Sequence, residues 1–244
     1  MFSLTLRSQG KLKHKELTSL IKLENINKSF YDKTSRLEIL SNIKLHVSSG
    51  SWISIVGPSG SGKSTLLHIM SGIIRPDSGK VYFNNRDIYE LKEYERSNLR
   101  RRHIGFVFQD FKLLPYYSVL DNVKLPIYNK KKENELTIRA KELLDMVGIE
   151  SALFNRLPEG LSGGEKQRVA IARSLIANPE VLICDEPTGN LDQKNRDHVI
   201  ELLSGLKDQG KTIILVTHDS DAAERGDDIY HLINRTLALN EVVT

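Results

Sequence analysis

The chain has 244 residues, a net charge of +4 at neutral pH and a single cysteine, Cys184. One cysteine excludes a disulfide scaffold and a cysteine-rich zinc site, and 39% hydrophobic residues exclude a chain that is disordered throughout. The apolar runs are far shorter than the roughly 18 residues that a membrane-spanning helix needs. We therefore expect one large domain, or one domain with an inserted lobe, that stays in the cytoplasm.

The basic excess lies at the N-terminus, because residues 1–22 alone carry a net charge of +4. Such a segment can bind anionic lipid, nucleic acid or an acidic partner. It is also typical of a solvated, flexible terminus, which is the interpretation we favour. The sequence thus predicts a flexible basic extension over residues 1–20 and a folded domain over 21–244.

Hydrophobic periodicity predicts alternating strands and helices. Apolar and polar residues alternate over 20–47, as in strands with one solvated face. Further strands are predicted at 51–57, 80–88, 103–109, 181–186 and 212–218, and helices at 66–73, 90–102, 133–147, 165–177 and 194–208. This order favours an α/β fold with a mostly parallel sheet covered on both faces. The prolines and lysines after residue 110 indicate an inserted helical lobe over about 111–178.

A glycine-rich loop follows the strand at 51–57. Residues 57–64 fit the pattern G-x-x-x-x-G-K-[ST] completely, between a strand and a helix as the motif requires. Glycines let backbone N–H groups turn toward phosphate oxygens, and the helix presents its positive dipole end to the same anion. Lys63 would reach the β- and γ-phosphates, and Ser64 would bind Mg²⁺. The predicted phosphate-binding residues are Gly57, Ser59, Gly60, Ser61, Gly62, Lys63, Ser64 and Thr65.

Two acids end the strand at 181–186. Asp185 can hold Mg²⁺ at a strand end, and Glu186 can orient and deprotonate a water molecule. A small-molecule kinase needs no carboxylate for water, so Glu186 favours a hydrolase. Alone, the pair would be no more than a turn before Pro187, but beside a phosphate loop the catalytic interpretation prevails.

A second glycine-rich segment, residues 161–167, leads into the helix predicted at 165–177. Ser162 is a plausible N-cap, and Gly163 and Gly164 would let backbone N–H groups approach an anion. The chain thus has two phosphate-binding helix N-termini but one phosphate-loop lysine. A head-to-tail dimer, in which this segment faces the partner's nucleotide, is an economical solution; a capped turn is the alternative.

Over about residues 21–233 these motifs, in this order, resemble those of the ABC-type ATPases, the nucleotide-binding domains of ABC transporters. The resemblance implies a P-loop NTPase core with a mostly parallel sheet, an N-terminal antiparallel β subdomain and an inserted helical subdomain. It also implies ATP and Mg²⁺ as cofactors, ATP hydrolysis, and dimerisation with a second such subunit.

The same resemblance implies roles for individual residues. Gln109 would meet Mg²⁺ and the attacking water, Glu186 would be the catalytic carboxylate, and His218 would contact the γ-phosphate. Asp192 would lie in a loop that crosses the dimer interface. Phe30 would stack on adenine, with Tyr31 as the alternative.

The runs at 57–72, 105–115, 121–126 and 187–192 are similar to those of the lipoprotein-release, macrolide-export and antimicrobial-peptide-resistance group. That similarity implies a four-helix permease with a large extracytoplasmic domain, contacted through about 111–128, and a location at the cytoplasmic face of the cell membrane. The apolar candidates for the contact are Phe111, Leu113, Leu114 and Tyr116, unless they form the core of the lobe.

Two other functions stay open. One is a soluble ABC ATPase that acts on nucleic acid or ribosomes, although we expect no specific nucleic acid partner. The other is an ATP-switched regulator of an envelope complex. One local departure from the family concerns Asn234 and Arg235, which we expect to form a turn where relatives commonly have Asp-Gly.

Overall fold

The computed structural model describes residues 19–31, 35–130 and 132–239. The strands are β1 (Ser19–Tyr31), β2 (Arg36–Ser48), β3 (Trp52–Val56), β4 (Ser78–Phe83), β5 (Arg86–Asp87), β6 (Ile104–Val107), β7 (Val181–Asp185), β8 (Thr212–Val216), β9 (Asp228–Ile233) and β10 (Thr236–Leu239). The α-helices are α1 (Lys63–Met70), α2 (Glu93–His103), α3 (Val119–Lys124), α4 (Glu133–Met146), α5 (Gly163–Leu175), α6 (Gln193–Asp208) and α7 (Ser220–Ala223). Short 3₁₀ turns occupy Leu125–Lys130, Ser151–Leu153 and Pro158–Gly160. The predicted extension over 1–20 lies outside the described residues except where β1 begins.

Two sheets form the frame of the molecule. The first is antiparallel, with strand order β2-β1-β4-β5, and the second has the order β10-β9-β3-β8-β7-β6. All neighbours in the second sheet are parallel except β10 and β9. The predicted mostly parallel sheet and the antiparallel N-terminal sheet are therefore confirmed.

The central strands are apolar along their whole length because both of their faces are buried. In β7, Val181 and Ile183 pack into a core shared with the antiparallel sheet and α1. Leu182 and Cys184 face the opposite core, which includes the helices from α3 to α6. Burial of Cys184 raises the pKa of its thiol to about 12, so this side chain packs as a small apolar group.

Helices α3, α4 and α5 pack against one another within the predicted lobe. The sequence predicted α4 and α5 from their apolar periodicity but did not predict α3. This helix has only six residues, and the sequence assigns its segment to the helical lobe without placing a helix between Pro115 and Pro126. Its N-cap, Ser118, accepts a hydrogen bond from the backbone N–H of Asp121.

Several strands end earlier than the sequence predicts. β6 stops at Val107 rather than residue 109, and β8 stops at Val216 rather than residue 218, because the polar residues that follow leave the sheet. The predicted turn at Asn234 and Arg235 is confirmed. Both residues have positive φ angles, 48° and 69°, as a two-residue type I′ hairpin requires.

Candidate nucleotide-binding site

A cavity of about 560 Å³ opens at the carboxyl ends of β3, β6, β7 and β8. Parallel strands bring their carboxyl ends to one edge of a sheet, so residues far apart in sequence meet there. The cavity is lined by Ile39, Gly57, Ser59, Gly60, Gly62, Lys63, Ser64, Thr65, Gln109, Asp185, Glu186 and His218. The structure thus brings the predicted phosphate loop together with the predicted strand-end residues.

The loop geometry requires glycine at two positions. A Cβ atom on Gly57 would lie 2.4 Å from the backbone oxygen of Leu232. Gly62 has a φ of 101°, and a Cβ there would lie 2.6 Å from Cγ2 of Ile39. The loop backbone therefore passes too close to β9 and β2 for a side chain at either position, and its N–H groups can converge on an anion.

Lys63, the first residue of α1, is 8% exposed. Its Nζ donates hydrogen bonds to the backbone oxygens of Gly57, at 2.8 Å, and Pro58, at 3.0 Å. An ammonium group has three donors, so one remains for a ligand. The contacts with the loop therefore fix the position of the positive charge beside the cavity.

Asp185 ends β7 and is 9% exposed. Its Oδ1 atom is buried and accepts no hydrogen bond from the part of the chain that the structure describes. A buried carboxylate oxygen without a partner is costly, and a cation would satisfy it. The Ser64 hydroxyl and the Gln109 side chain line the same cavity, which completes an oxygen donor set suited to Mg²⁺.

Glu186 and His218 form a close pair at the cavity. The Oε2 atom of Glu186 lies 2.8 Å from Nδ1 of His218 and accepts a 3.3 Å hydrogen bond from its backbone N–H. The Glu186 side chain is 12% exposed, whereas that of His218 is 66% exposed. Glu186 also has a φ of 49°, and its backbone N–H donates to the oxygen of Val216 at 2.9 Å. A carboxylate fixed in this way can accept a proton from a water molecule in the cavity.

The second glycine-rich segment lies outside this cavity. Ser162 is the N-cap of α5, and its Oγ accepts from the backbone N–H of Glu165 at 3.3 Å. Glu165 completes the capping box by accepting from the Ser162 N–H at 2.7 Å. Ser162 and Gly163 are exposed, while Gly164 is buried against Asn195, close enough that a Cβ would lie 2.1 Å from Oδ1.

Asp192 and Phe30 are also outside the cavity. Asp192 caps α6, and its two carboxylate oxygens accept from the backbone and side-chain nitrogens of Asn195 at 3.0 and 2.7 Å. These bonds lower the pKa of Asp192. Phe30 pairs with Leu37 across β1 and β2, and its ring is 42% exposed. Tyr31, the alternative aromatic, is 73% exposed.

Two further observations refine the predicted site. Ser61 does not line the cavity, and its buried Oγ accepts no bond from any described residue. Ile39 does line it, but the sequence analysis missed this residue. Its only sequence signal is the alternation that marks every apolar residue of β2, which says nothing about a ligand.

The fold and the site together define a P-loop protein of the ATP-binding cassette class. A family model described as ABC transporter matches residues 40–189. The chain belongs to the ABC transporter family.

Two curated relatives illustrate the similarity. An uncharacterized ABC transporter ATP-binding protein, YvrO of Bacillus subtilis, is 44% identical over 223 residues, which are 91% of this chain and 97% of that protein. The lipoprotein-releasing system ATP-binding protein LolD of Acinetobacter baylyi is 43% identical over 216 residues, which are 87% of this chain and 94% of LolD.

A solved structure shares the whole fold. The dimeric post-hydrolysis state of the ATP-binding cassette MJ0796, bound to ADP and Pi, superposes with a TM-score of 0.86 at 38% identity. It covers 92% of this chain and 99% of MJ0796. The protein is therefore an ABC ATPase, the ATP-binding and ATP-hydrolysing subunit of an ABC transporter. No helix in the described ranges is long and apolar enough to cross a membrane.

Proposed function

We propose that two copies of the protein close head to tail around two ATP·Mg²⁺ and drive a permease of the lipoprotein-release or macrolide-export type. The separation of the two phosphate-binding elements carries this proposal. Lys63, Asp185 and Glu186 surround one cavity, whereas Ser162 and Gly163 are exposed outside it. One chain thus supplies the cavity half of one ATP site and the Ser162 half of another, and a second copy would complete both sites.

Within one site, the loop N–H groups and Lys63 bind the β- and γ-phosphates. Asp185, Ser64 and Gln109 would hold Mg²⁺, which when bound neutralises charge on the phosphate oxygens. Glu186 orients the attacking water and accepts its proton. His218 holds the Glu186 carboxylate in place and, with its exposed ring, adds a donor near the transferred phosphoryl group.

Across the proposed interface, Ser162, Gly163 and Gly164 would contact the partner's ATP, and Asp192 would lie at the junction of the two subunits. The capping box supports this arrangement because it fixes the start of α5 without using every backbone N–H there. Phe30 would stack on adenine, for which its exposed ring is suited.

The permease would dock on about 111–128, at the cytoplasmic face of the membrane. Tyr116 is 90% exposed, and Leu114 and Tyr117 are also exposed. Leu113 instead packs against the helical core, so it supports this surface from below. Exposed aromatic side chains grouped on one loop are typical of a protein interface. The lipoprotein-releasing relative supports the proposed type of permease.

The proposal is tested with Glu186→Gln in the full-length protein. The amide cannot accept the proton, so we expect ATP hydrolysis to fall at least about a hundredfold while ATP binding persists. With hydrolysis stopped, light scattering should show a dimer in ATP·Mg²⁺ and a monomer without nucleotide.

The matched control is Glu201→Gln, which changes an exposed glutamate on α6. This variant should hydrolyse ATP at the parental rate and should form no stable dimer. A Glu186→Gln variant that hydrolyses ATP at the parental rate would exclude Glu186 as the base. A variant that binds ATP but stays monomeric would exclude the closed dimer.

A further inference from the structure

We propose that Arg173, in the last turn of α5, is a positioning residue that fixes the loop carrying Gln109. Its two terminal guanidinium nitrogens donate hydrogen bonds to consecutive backbone oxygens, 2.6 Å to Phe111 and 2.5 Å to Lys112. The inference deepens the proposed function, because it concerns the segment through which Gln109 would reach Mg²⁺.

The two residues that Arg173 binds have an unusual backbone. Phe111 and Lys112 both lie in the left-handed region, with φ angles of 60° and 48°. Residues other than glycine avoid this region, and two successive non-glycine residues in it are rare. The planar fork of an arginine can hold both carbonyls at once, so it stabilises a conformation that the chain would otherwise leave.

Within the described ranges, the Arg173 guanidinium has no partner other than these two carbonyls. Among the described residues no carboxylate forms an ion pair with it, and burial is the cause that lowers its pKa. Partial burial of a guanidinium without an acid is costly unless its donors are used. The backbone of Phe111 and Lys112 uses them.

The consequence follows from the position of Arg173 on α5. This helix of 13 residues begins at Gly163, beside the exposed N-cap Ser162, and spans about 20 Å. One rigid element therefore ends at the proposed interface with the partner's ATP and, at its other end, at the loop after Gln109. Movement of the helix would shift the loop, and Arg173 is the physical link.

A double-mutant cycle on the full-length protein tests the link. We expect Arg173→Met to lower kcat for ATP roughly tenfold through misplacement of the loop, with KM for ATP changed less than about twofold. Arg173→Lys, which keeps a charged donor, should recover part of the loss. In the Gln109→Ala background, Arg173→Met should lower kcat by less than about twofold, because the group that it positions is already gone.

Arg139→Met is the matched control. Arg139 also donates to two backbone oxygens of the helical lobe, those of Ile176 at 2.8 Å and Leu175 at 3.3 Å, but it does not bind the loop after Gln109. We expect the kcat of the Arg139→Met variant to stay within about twofold of the parental value. Urea unfolding of each variant confirms that the comparison is made on folded protein.

The outcomes separate this inference from the proposed function. If Gln109→Ala lowers kcat but Arg173→Met lowers it equally in both backgrounds, Arg173 does not act through Gln109 and the inference is overturned. If Gln109→Ala leaves kcat unchanged, the proposed role of Gln109 fails and the inference fails with it. If Arg173→Met does not fold, the cycle with Arg173→Lys gives the same discrimination.

Discussion

Single residues at the candidate site differ in how far their hydrogen bonds are satisfied. The Glu186 carboxylate is held by His218 through two contacts, whereas Oδ1 of Asp185 has no partner among the described residues. A satisfied group is fixed in place, and an unsatisfied buried one gains from a ligand. The contrast supports the proposed roles of Glu186 in proton transfer and of Asp185 in cation binding.

Removing the Asp185 charge should therefore weaken the metal-dependent part of ATP binding. In Asp185→Asn the neutral amide is a poorer ligand for Mg²⁺, so we expect ATP affinity in Mg²⁺ to fall by about tenfold or more. Affinity in EDTA should be unchanged, because the loop and Lys63 are intact. Calorimetric titration with and without Mg²⁺ measures both. Equal losses under the two conditions would show that Asp185 does not act through the metal.

The sequence predicted the residues of this site that are contiguous in a motif. Residues 57–65 were identified because a continuous pattern of glycines and one lysine, between a strand and a helix, is specific to phosphate-binding loops. Ile39 and Arg173 could not be identified in this way. Their contacts depend on how the antiparallel sheet and α5 pack against the core, and their residue types are common in strands and helices.

Among the secondary-structure elements, α5 has the most completely specified start. Ser162 and Glu165 satisfy each other's backbone N–H groups. The Ser162 hydroxyl also donates to Oε2 of Glu165 at 2.7 Å, and this bond, together with the one from the Ser162 N–H, lowers the pKa of the Glu165 carboxyl. Because the pKa of Glu165 is lowered in the folded state, its ionised form stabilises the fold at every pH above the ordinary glutamate pKa of about 4.3. That contribution is lost as pH falls through this value toward the lowered pKa.

We therefore expect Glu165→Gln to flatten the acid side of the stability curve. Glutamine can still accept the N-cap hydrogen bond, but it carries no charge, so near pH 7 the variant should lack the stabilisation that ionised Glu165 supplies and its thermal midpoint should lie below that of the parent. Between about pH 6 and 3 the variant should lose less stability than the parent. Ser162→Ala removes the serine side of the same box and should flatten the curve as well. Curves for Glu165→Gln and the parent that fall in parallel would contradict the assignment.

The loop before α3 depends on one buried amide. Asn122 is fully buried, accepts from the backbone N–H of Leu114 at 2.8 Å, and donates to the backbone oxygens of Leu114, Tyr117 and Ser118 at 3.1, 3.0 and 3.0 Å. It thereby shapes the loop that exposes Tyr116. The proposed permease surface is thus held in place by a side chain beneath it.

Asn122→Ala should lower the free energy of unfolding by about 3 kcal/mol, because several buried backbone groups would lose their partner. Urea unfolding measures this, and faster hydrogen exchange at the Leu114 amide would locate the effect. Asn134→Ala, an exposed position on α4, should cost less than about 0.5 kcal/mol. Equal costs for the two variants would refute the role of Asn122.

The elements that the sequence predicted well are those with a strong pattern. β3, β7 and β8 are short apolar runs buried on both faces, and α4 and α6 have a clear apolar stripe. α3 was missed because a six-residue helix has less than two turns in which to show periodicity. The ends of strands were overestimated because residue type alone does not show where backbone pairing stops.

In the molecule as a whole, the two halves of the proposed ATP contact lie on different parts of one chain. The cavity is formed at the edge of the parallel sheet, whereas Ser162 lies at the start of α5 in the helical lobe. Ser162 is not among the residues that line this cavity. In the proposed dimer, ATP binding would thus be a property of one subunit and closure a property of two.

This separation predicts that binding and dimerisation can be uncoupled. Ser162→Arg places a long cation on the exposed surface that would face the partner's ATP, so it should block closure sterically. The cavity of the same subunit contains no atom of Ser162, so affinity for ATP should stay within about twofold of the parent. Combined with Glu186→Gln, the variant should remain monomeric in ATP·Mg²⁺ by light scattering. Ser97→Arg, exposed on α2, should still allow the Glu186→Gln protein to dimerise. If the Ser162→Arg protein also dimerises, α5 does not lie at the interface and the head-to-tail arrangement is wrong.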